Sequence, residues 1–288
     1  GSIRLNAGVI GGEGVISASG GSAGYDSLGG GGAGGRIAVY YGSSTYSGTI
    51  SAKGGAGAQA GGAGTVYLKS SEQPYGELIV DNAGLDNQAT TPLLESISLD
   101  MLTVRNRGYL DVPSGIEVGV VTPALALHDA GEMILHGRVF RTGTANGEFD
   151  LVDVATSSEL TVDQGGGLAA AELRVSSLAS LAMPLNVVHS LAVDQLELLS
   201  GGTFQLNTLA TFGNVHIALG GVLTHATGQA GFNLMATGDV TVDLGGKIDL
   251  DGRGFAAGGG PGAGSSGIEG AGAGHGGIGG SGSANGGV

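Results

Sequence analysis

The sequence predicts an all-β chain wound as a parallel β-solenoid (a single-chain parallel β-helix) of about ten coils, and three observations predict it. A five-residue pattern, small-any-apolar-any-apolar, recurs at 14–18, 48–52, 76–80, 108–112, 131–135, 158–162, 179–183, 202–206, 221–225 and 246–250. Its spacings are 34, 28, 32, 23, 27, 21, 23, 19 and 25 residues, the signature of a stacked repeat with insertions. A second strand with period-two alternation precedes most copies, as in GSIRLNAG (1–8), GRIAVYYG (35–42), GTVYLKSS (64–71) and GDVTVDLG (238–245). Finally, 62 glycines disfavour helix, and most must sit in turns and loops.

Strands this short are not stable alone; stacked in parallel, each pairs with its copies one coil above and below. Ten coils at about 4.8 Å each give a rod about 45–50 Å long. An antiparallel sandwich also has closely spaced strands. Here, however, the copies resemble one another at the distance of a whole coil, and the glycine insertions fall at one point of the cycle. The alternation places Ile37, Val39, Ile50, Val66, Leu68, Leu78 and Val80 in one shared interior.

Three zones make up a β-helix spanning 1–254. Residues 1–84 carry Gly-rich insertions at 20–35 and 54–64; residues 85–237 form lean coils with a Leu-rich interior; residues 238–254 return to the first style. The segment 255–288 holds 16 glycines in 34 residues. Two readings of the glycine tracts stand. They are flexible, because ordering a backbone costs about 1–2 kcal/mol per residue with no side-chain burial to offset it. Or they pack backbone to backbone as extended strands, in which case 255–288 is an ordered insertion leading into a next coil.

The 41% hydrophobic content suffices for a core. A net charge of −14 with 11 Lys and Arg argues against nucleic acid and anionic membrane surfaces. No apolar run approaches the roughly 20 residues of a membrane helix. Absence of cysteine removes disulfides and Cys-based metal sites. With no initiator Met and no signal peptide at residue 1, the expectation is a chain that begins inside a longer protein.

The runs GGGGAGGRIAVYY, GTISAKGG and GGAGTVYLK resemble the Gly-rich repeats of large secreted bacterial parallel β-helix proteins, most strongly over 1–84 and 238–288. That resemblance implies right-handed coils, a secreted or cell-surface location, and an adhesive or scaffolding role.

Because parallel β-helices also bind or cleave polysaccharides, sites were sought. Gly274, His275 and Gly276 match the Gly-His-Gly of polygalacturonase-like enzymes, without the accompanying Asp pair or Arg-x-Lys. Lys53, Lys69 and Lys247 are scattered over distant coils, unlike a lyase cluster. Asp249 and Asp251, about 7 Å apart on one strand face, are the Ca²⁺ candidates, while Asp81, Asp86, Asp150 and Asp153 lie near turns; the alternative is a solvated acidic face. The six histidines show no metal-ligand spacing, and His225 falls at an inward position. Tyr40 and Tyr67 occupy equivalent outward positions and, with Tyr41 and Tyr46, are candidates for stacking on sugar rings, against simple ladder stacking. No GxGxxG opens a helix and no Walker lysine follows a glycine loop.

The reading is a non-catalytic extracellular structural protein without cofactor, with two competitors: a polysaccharide-binding or polysaccharide-degrading β-helix, and a receptor-binding tip using its Gly-rich loops. The strand and loop order at 238–288 is one that residues 1–8 would continue, and neither end carries a polar cap. The expectation is that copies stack head to tail into a filament, either as tandem repeats in one giant chain or as separate self-associating subunits.

Overall fold

The computed structural model describes residues 1–24, 28–86, 88–163, 165–183, 190–207, 209–229, 231–255, 259–260 and 262–263. Gly274, His275 and Gly276, His189 and most of 255–288 lie outside the described residues. Among the described residues every regular element is a strand and none is a helix. The strands form a 15-stranded sheet, an 8-stranded sheet and a two-stranded sheet, in a β-solenoid-like arrangement.

The chain opens with β1 (Ser2–Gly12), β2 (Val15–Ser17), β3 (Arg36–Tyr46), β4 (Thr49–Ser51) and β5 (Thr65–Ser70). β1 pairs with β3 and β3 with β5, in parallel, with Ile3, Ile37 and Val66 in one row and Leu5, Val39 and Leu68 in the next. Across the interior β2 pairs with β4, Ile16 against Ile50. Ile37, Val39, Ala52 and Val66 are buried here, with Ile3, Leu5, Ile16 and Ile50 packed around them.

After β5 the chain turns back on itself, and β6 (Glu77–Asp81) pairs antiparallel with β5, Val66 against Ile79 and Tyr67 against Leu78. All other pairings among the described strands are parallel. The reversal corrects the shared interior expected from the sequence. In this antiparallel register even-numbered residues of β5 face the same side as odd-numbered residues of β6. Ile79 therefore joins the first core, while Leu78 and Val80 point to the opposite face and open a second core. Period-two alternation continues through both strands, but a hairpin with this register exchanges the faces.

The second core is long. It runs through Leu102, Val104, Leu110, Leu125, Leu127, Leu135, Phe149, Leu160, Leu173, Leu196, Phe204, Phe212 and Ile217, each at most 4% exposed. Three rows of strands enclose it. One continues from β6 through Met101–Arg105, Ala124–Leu127 and Phe149–Val154. A second stacks Tyr109–Val112, Glu132–Leu135, Glu159–Val162, Ser180–Met183, Thr203–Leu206, Val222–Thr224 and Lys247–Ile248. A third, Ile97–Leu99, Glu117–Val120 and Arg138–Arg141, merges with the first in Gly167–Val175, Ser190–Leu198 and Leu209–Ile217. At the merge the inward alternation skips one residue, from Ala170 to Leu173 and from Phe212 to Val215. The strand bends there from one wall into the next.

The turn into the second row repeats from coil to coil. Two successive residues take left-handed backbone conformations: Asn106 and Arg107 (φ 49° and 59°), Asp129 and Ala130 (53° and 56°), Thr156 and Ser157 (54° and 59°), Ser177 and Leu178 (53° and 63°). The next residue, Gly108, Gly131, Ser158 or Ala179, donates its N–H back across the turn. These four are the small residues that open the five-residue pattern. Bonds between turns, Ala130 N–H to Thr156 O (2.8 Å) and Ser157 N–H to Ser177 O (2.9 Å), help hold conformations that cost about 1–2 kcal/mol per residue.

The glycine insertions beside the first core pack backbone to backbone. Gly32 N–H donates to Gly21 O (2.8 Å), Gly55 N–H to Gly32 O (2.8 Å) and Gly61 N–H to Gly55 O (2.9 Å), linking four passes of the chain. The passes also touch through their Cα atoms: a Cβ on Gly61 would lie 2.0 Å from Gly32 O, and one on Gly55 2.0 Å from Gly21 O. Each pass thus has neighbours in more than one direction, which only glycine allows. Asn82, fully buried, seals the lattice: its Oδ1 accepts from Gly54 N–H (2.8 Å) and its Nδ2 donates to Gly61 O (3.2 Å). Thr91 Oγ1 donates to Ala63 O at 2.7 Å. Unmet, each such buried group would cost about 1–3 kcal/mol.

This packing predicts that Gly61→Ala lowers the thermal midpoint by several degrees, since overpacking of this kind costs about 1–3 kcal/mol. Gly21→Ala, whose Cβ would meet nothing within 4 Å, leaves the midpoint in place. Equal midpoints for the two variants would contradict the lattice.

Candidate functional site

The outward face of β1, β3 and β5 carries Arg4, Asn6, Tyr40, Tyr67 and Lys69, an aromatic and basic group in an acidic chain. Tyr40 and Tyr67 do meet, with ring centroids 5.8 Å apart and planes tilted by 59°. They are diagonal neighbours rather than equivalent positions: Tyr40 is in register with Lys69, and Tyr67 with Ala38. The Arg4 guanidinium lies 5.1 Å from the Tyr40 ring centroid.

The hairpin between β5 and β6 folds over the other half of the pair. The Tyr67 hydroxyl donates to the Tyr75 carbonyl, and Lys69 Nζ donates to Pro74 O at 2.7 Å. Tyr67 packs against the second core. Burial, then Tyr40, then Asp100, raise its phenol pKa above 10.0, so the hydroxyl stays a donor through the physiological range. What stays accessible is a groove of about 480 Å³ lined by Asn6, Tyr40, Tyr41, Lys69, Ser70 and Ser71, among others.

A second cavity of about 430 Å³ opens on the first core. Its walls include Ile10, Ile50, Leu68 and Ile79, and the Arg105–Asp81 ion pair (2.9 Å) lies at its polar edge with Asn106. It exists because β6 carries the chain to the opposite face, leaving β5 without a return strand.

Asp249 and Asp251 are engaged locally: Asp249 Oδ1 accepts the N–H of Asp251 at 3.0 Å. Among the described residues no group of three or more His, Asp or Glu side chains is placed to hold a metal ion. His225 is buried as its inward position predicts, with Nδ1–H donating to Ala226 O (2.7 Å) and its ring edge-on to Phe232.

The coil-to-coil register builds charged ladders that the sequence reading missed. His136 lies between Asp111 (3.1 Å) and Asp163 (3.2 Å), and His216 between Glu197 (2.7 Å) and Asp243 (2.8 Å), each ladder crossing three coils. On the second row Tyr109, Glu132 and Glu159 stand in register. Burial is the main cause of a raised Glu132 pKa, with the Glu159 charge adding to it and Gln88 and Arg107 opposing it. A signal for this column was present: Tyr109, Glu132 and Glu159 are each the second residue of a five-residue copy.

At both ends of the stack, apolar inward residues lack a covering coil among the described residues. Val240 and Val242 are 45% and 44% exposed, whereas their partners one coil earlier, Val215 and Ile217, are 1% and 0% exposed. At the other end β1 is paired on one edge, to β3.

No family model, curated protein or solved structure matches this chain.

The His216 ladder makes a pH prediction. Hydrogen bonds to Asp243 and then Glu197 raise its pKa above 6.5. A raised folded pKa gives stabilisation that is complete below pH 6.5 and is lost as pH rises through the folded value. The thermal midpoint of the wild type therefore falls across that window, and His216→Gln flattens the fall. Superimposable pH profiles would refute the ladder.

Proposed function

We propose that this chain is a non-catalytic extracellular rod, a right-handed parallel β-helix of about ten coils that associates end to end in a scaffolding or adhesive role at a bacterial surface. The observation that carries the reading is that, among the described residues, inward apolar residues and strand edges at both ends of the stack have no covering coil. A right-handed path is the general rule for parallel crossovers. The reversal at β5–β6 is compatible with one hand throughout: strand direction and core face both invert while the stack advances the same way, and two inversions cancel. The acidic surface suits a soluble exported rod.

Polysaccharide chemistry is the second reading, favoured by the Glu132–Glu159 pair on adjacent coils. Two carboxylates on adjacent coils are the working parts of glycoside hydrolysis. The groove beside Tyr40 suits a polysaccharide held without turnover.

Light scattering and electron microscopy of the purified chain test the first reading. Fibres that lengthen with concentration are expected, and monodisperse single rods would contradict it. Reducing-end and unsaturation assays on a polysaccharide panel are expected to show no turnover. Turnover abolished by a Glu132→Gln, Glu159→Gln double variant that still melts cooperatively would establish the enzyme instead.

A further inference from the structure

The first and last coils are cut to one template. The first runs along β1 to a break in the ladder at Gly8, continues to Gly12, turns, and enters β2. Its inward side chains are Ile3, Leu5 and Ala7 before the break, Ile10 after it, and Ile16 beyond the turn. The last coil runs Asn233–Ala236, Val240–Val242, a turn, and Lys247–Ile248. Its inward side chains are Leu234 and Ala236, then Val240 and Val242, then Ile248, as shown by their register with buried Ala210, Phe212, Val215, Ile217 and Leu223.

The order of segments and the turn coincide, but the break differs by one residue: inward positions step by three from Ala7 to Ile10 and by four from Ala236 to Val240. Ile16 lies six positions after Ile10, and Ile248 six positions after Val242. Parity is kept on both sides of the break only if one extra residue bulges there, as already happens where Phe212 and Val215, three apart, pair with Ala236 and Val240, four apart.

Charge sets the polarity. The last coil carries Asp239, Asp243, Asp249 and Asp251 against Lys247 and Arg253; the first carries Arg4 against Glu13. Residues 1–76 hold four Lys and Arg and three Asp and Glu, and the rest of the chain seven and 22. Two tail ends brought together would repel, while a head end meets a tail end without that cost.

We infer that the occupant of the open tail is the head of a second copy of this chain. Its β1 lies parallel on Asn233–Ala236 and Val240–Val242, and its β2 on Lys247–Ile248. In the register set by the turns, Val9 faces Thr241 and Ile16 stacks on Ile248; before the break, where the last coil has one extra residue, the register shifts by one and Arg4 faces Met235, which keeps Ile3 and Leu5 on Leu234 and Ala236 in one continuous core. The inference rests on the end-to-end reading above and specifies its polarity and register. It has a geometric consequence. Strand direction and core face invert once within each copy, at β5–β6, so the next copy is not placed by translation alone. It is rotated about the stacking axis by half a turn, offset by the angle of the bend between Asn233–Ala236 and Val240–Val242.

The chain has no cysteine, so introduced thiols report single contacts. Val9 and Thr241 are both exposed and outward-facing, as are Arg4 and Met235. Under mild oxidation, Val9→Cys mixed with Thr241→Cys is expected to give a disulfide-linked heterodimer, and the doubly substituted chain a ladder of covalent oligomers that collapses on reduction. Arg4→Cys with Met235→Cys is expected to behave alike. Self-linking of Val9→Cys or Thr241→Cys as readily as the mixture overturns the polarity. Fibres by electron microscopy with neither pair crosslinking overturn this joint and leave the end-to-end reading standing. Absence of association by scattering overturns both.

Discussion

The structure depends on main-chain hydrogen bonds made between coils rather than within them. A coil of this chain satisfies few of its own N–H and C=O groups; its partners lie one turn above and below. That constraint dictates the side-chain choices. Where coils face a core, alternating Val, Leu and Ile fill it, and the same inward column is kept for many coils. Where the chain must turn, paired left-handed residues stack, and main-chain bonds tie the turn at Asp129–Ala130 to that at Thr156–Ser157 and the latter to that at Ser177–Leu178. Where insertions leave the coil, glycine lets one backbone lie directly on another, and Asn82 and Thr91 close the last open groups.

The hairpin between β5 and β6 is the one departure from parallel stacking among the described strands, and it organises the rest. By exchanging the inward face it divides the interior into two cores on opposite sides of one sheet. It also covers part of Tyr67, which would otherwise lie on an outer surface, and leaves the cavity beneath Leu68 and Ile79. The first core is small and shared with the glycine lattice; the second is mainly apolar, with His225 and Thr224 buried near its far end, and is built from three strand rows.

Much of this was legible in the sequence. The five-residue pattern marks the second-row strands from Tyr109–Val112 onward, because its first residue is the one that closes each turn, and the inward positions it assigns, such as Leu110, Leu160 and Phe204, are buried. His225 is buried for the same reason. The exchange of faces at Leu78 and Val80 was not legible, since alternation carries no mark of strand direction, and SSEQPYG reads as any short connection. Two-residue offsets were equally invisible, so Tyr40 and Tyr67 looked equivalent and are diagonal. The ladders of His136 and His216 emerge only once register aligns residues about 19–27 positions apart, whereas the Glu132 column could have been read from the second position of the five-residue copies. The glycine tracts admitted two readings because a glycine run has the same composition whether solvated or packed.

Hydrogen exchange at the glycine amides tests the central claim, that coil-to-coil main-chain bonding orders the whole stack, most directly. Gly34, Gly55 and Gly61 donate to Gly62, Gly32 and Gly55 within the lattice. Their N–H groups should exchange as slowly as those of Ile37 and Val39 in the adjoining core strand. Exchange at the rate of an unstructured glycine peptide, with β3 still protected, would contradict it.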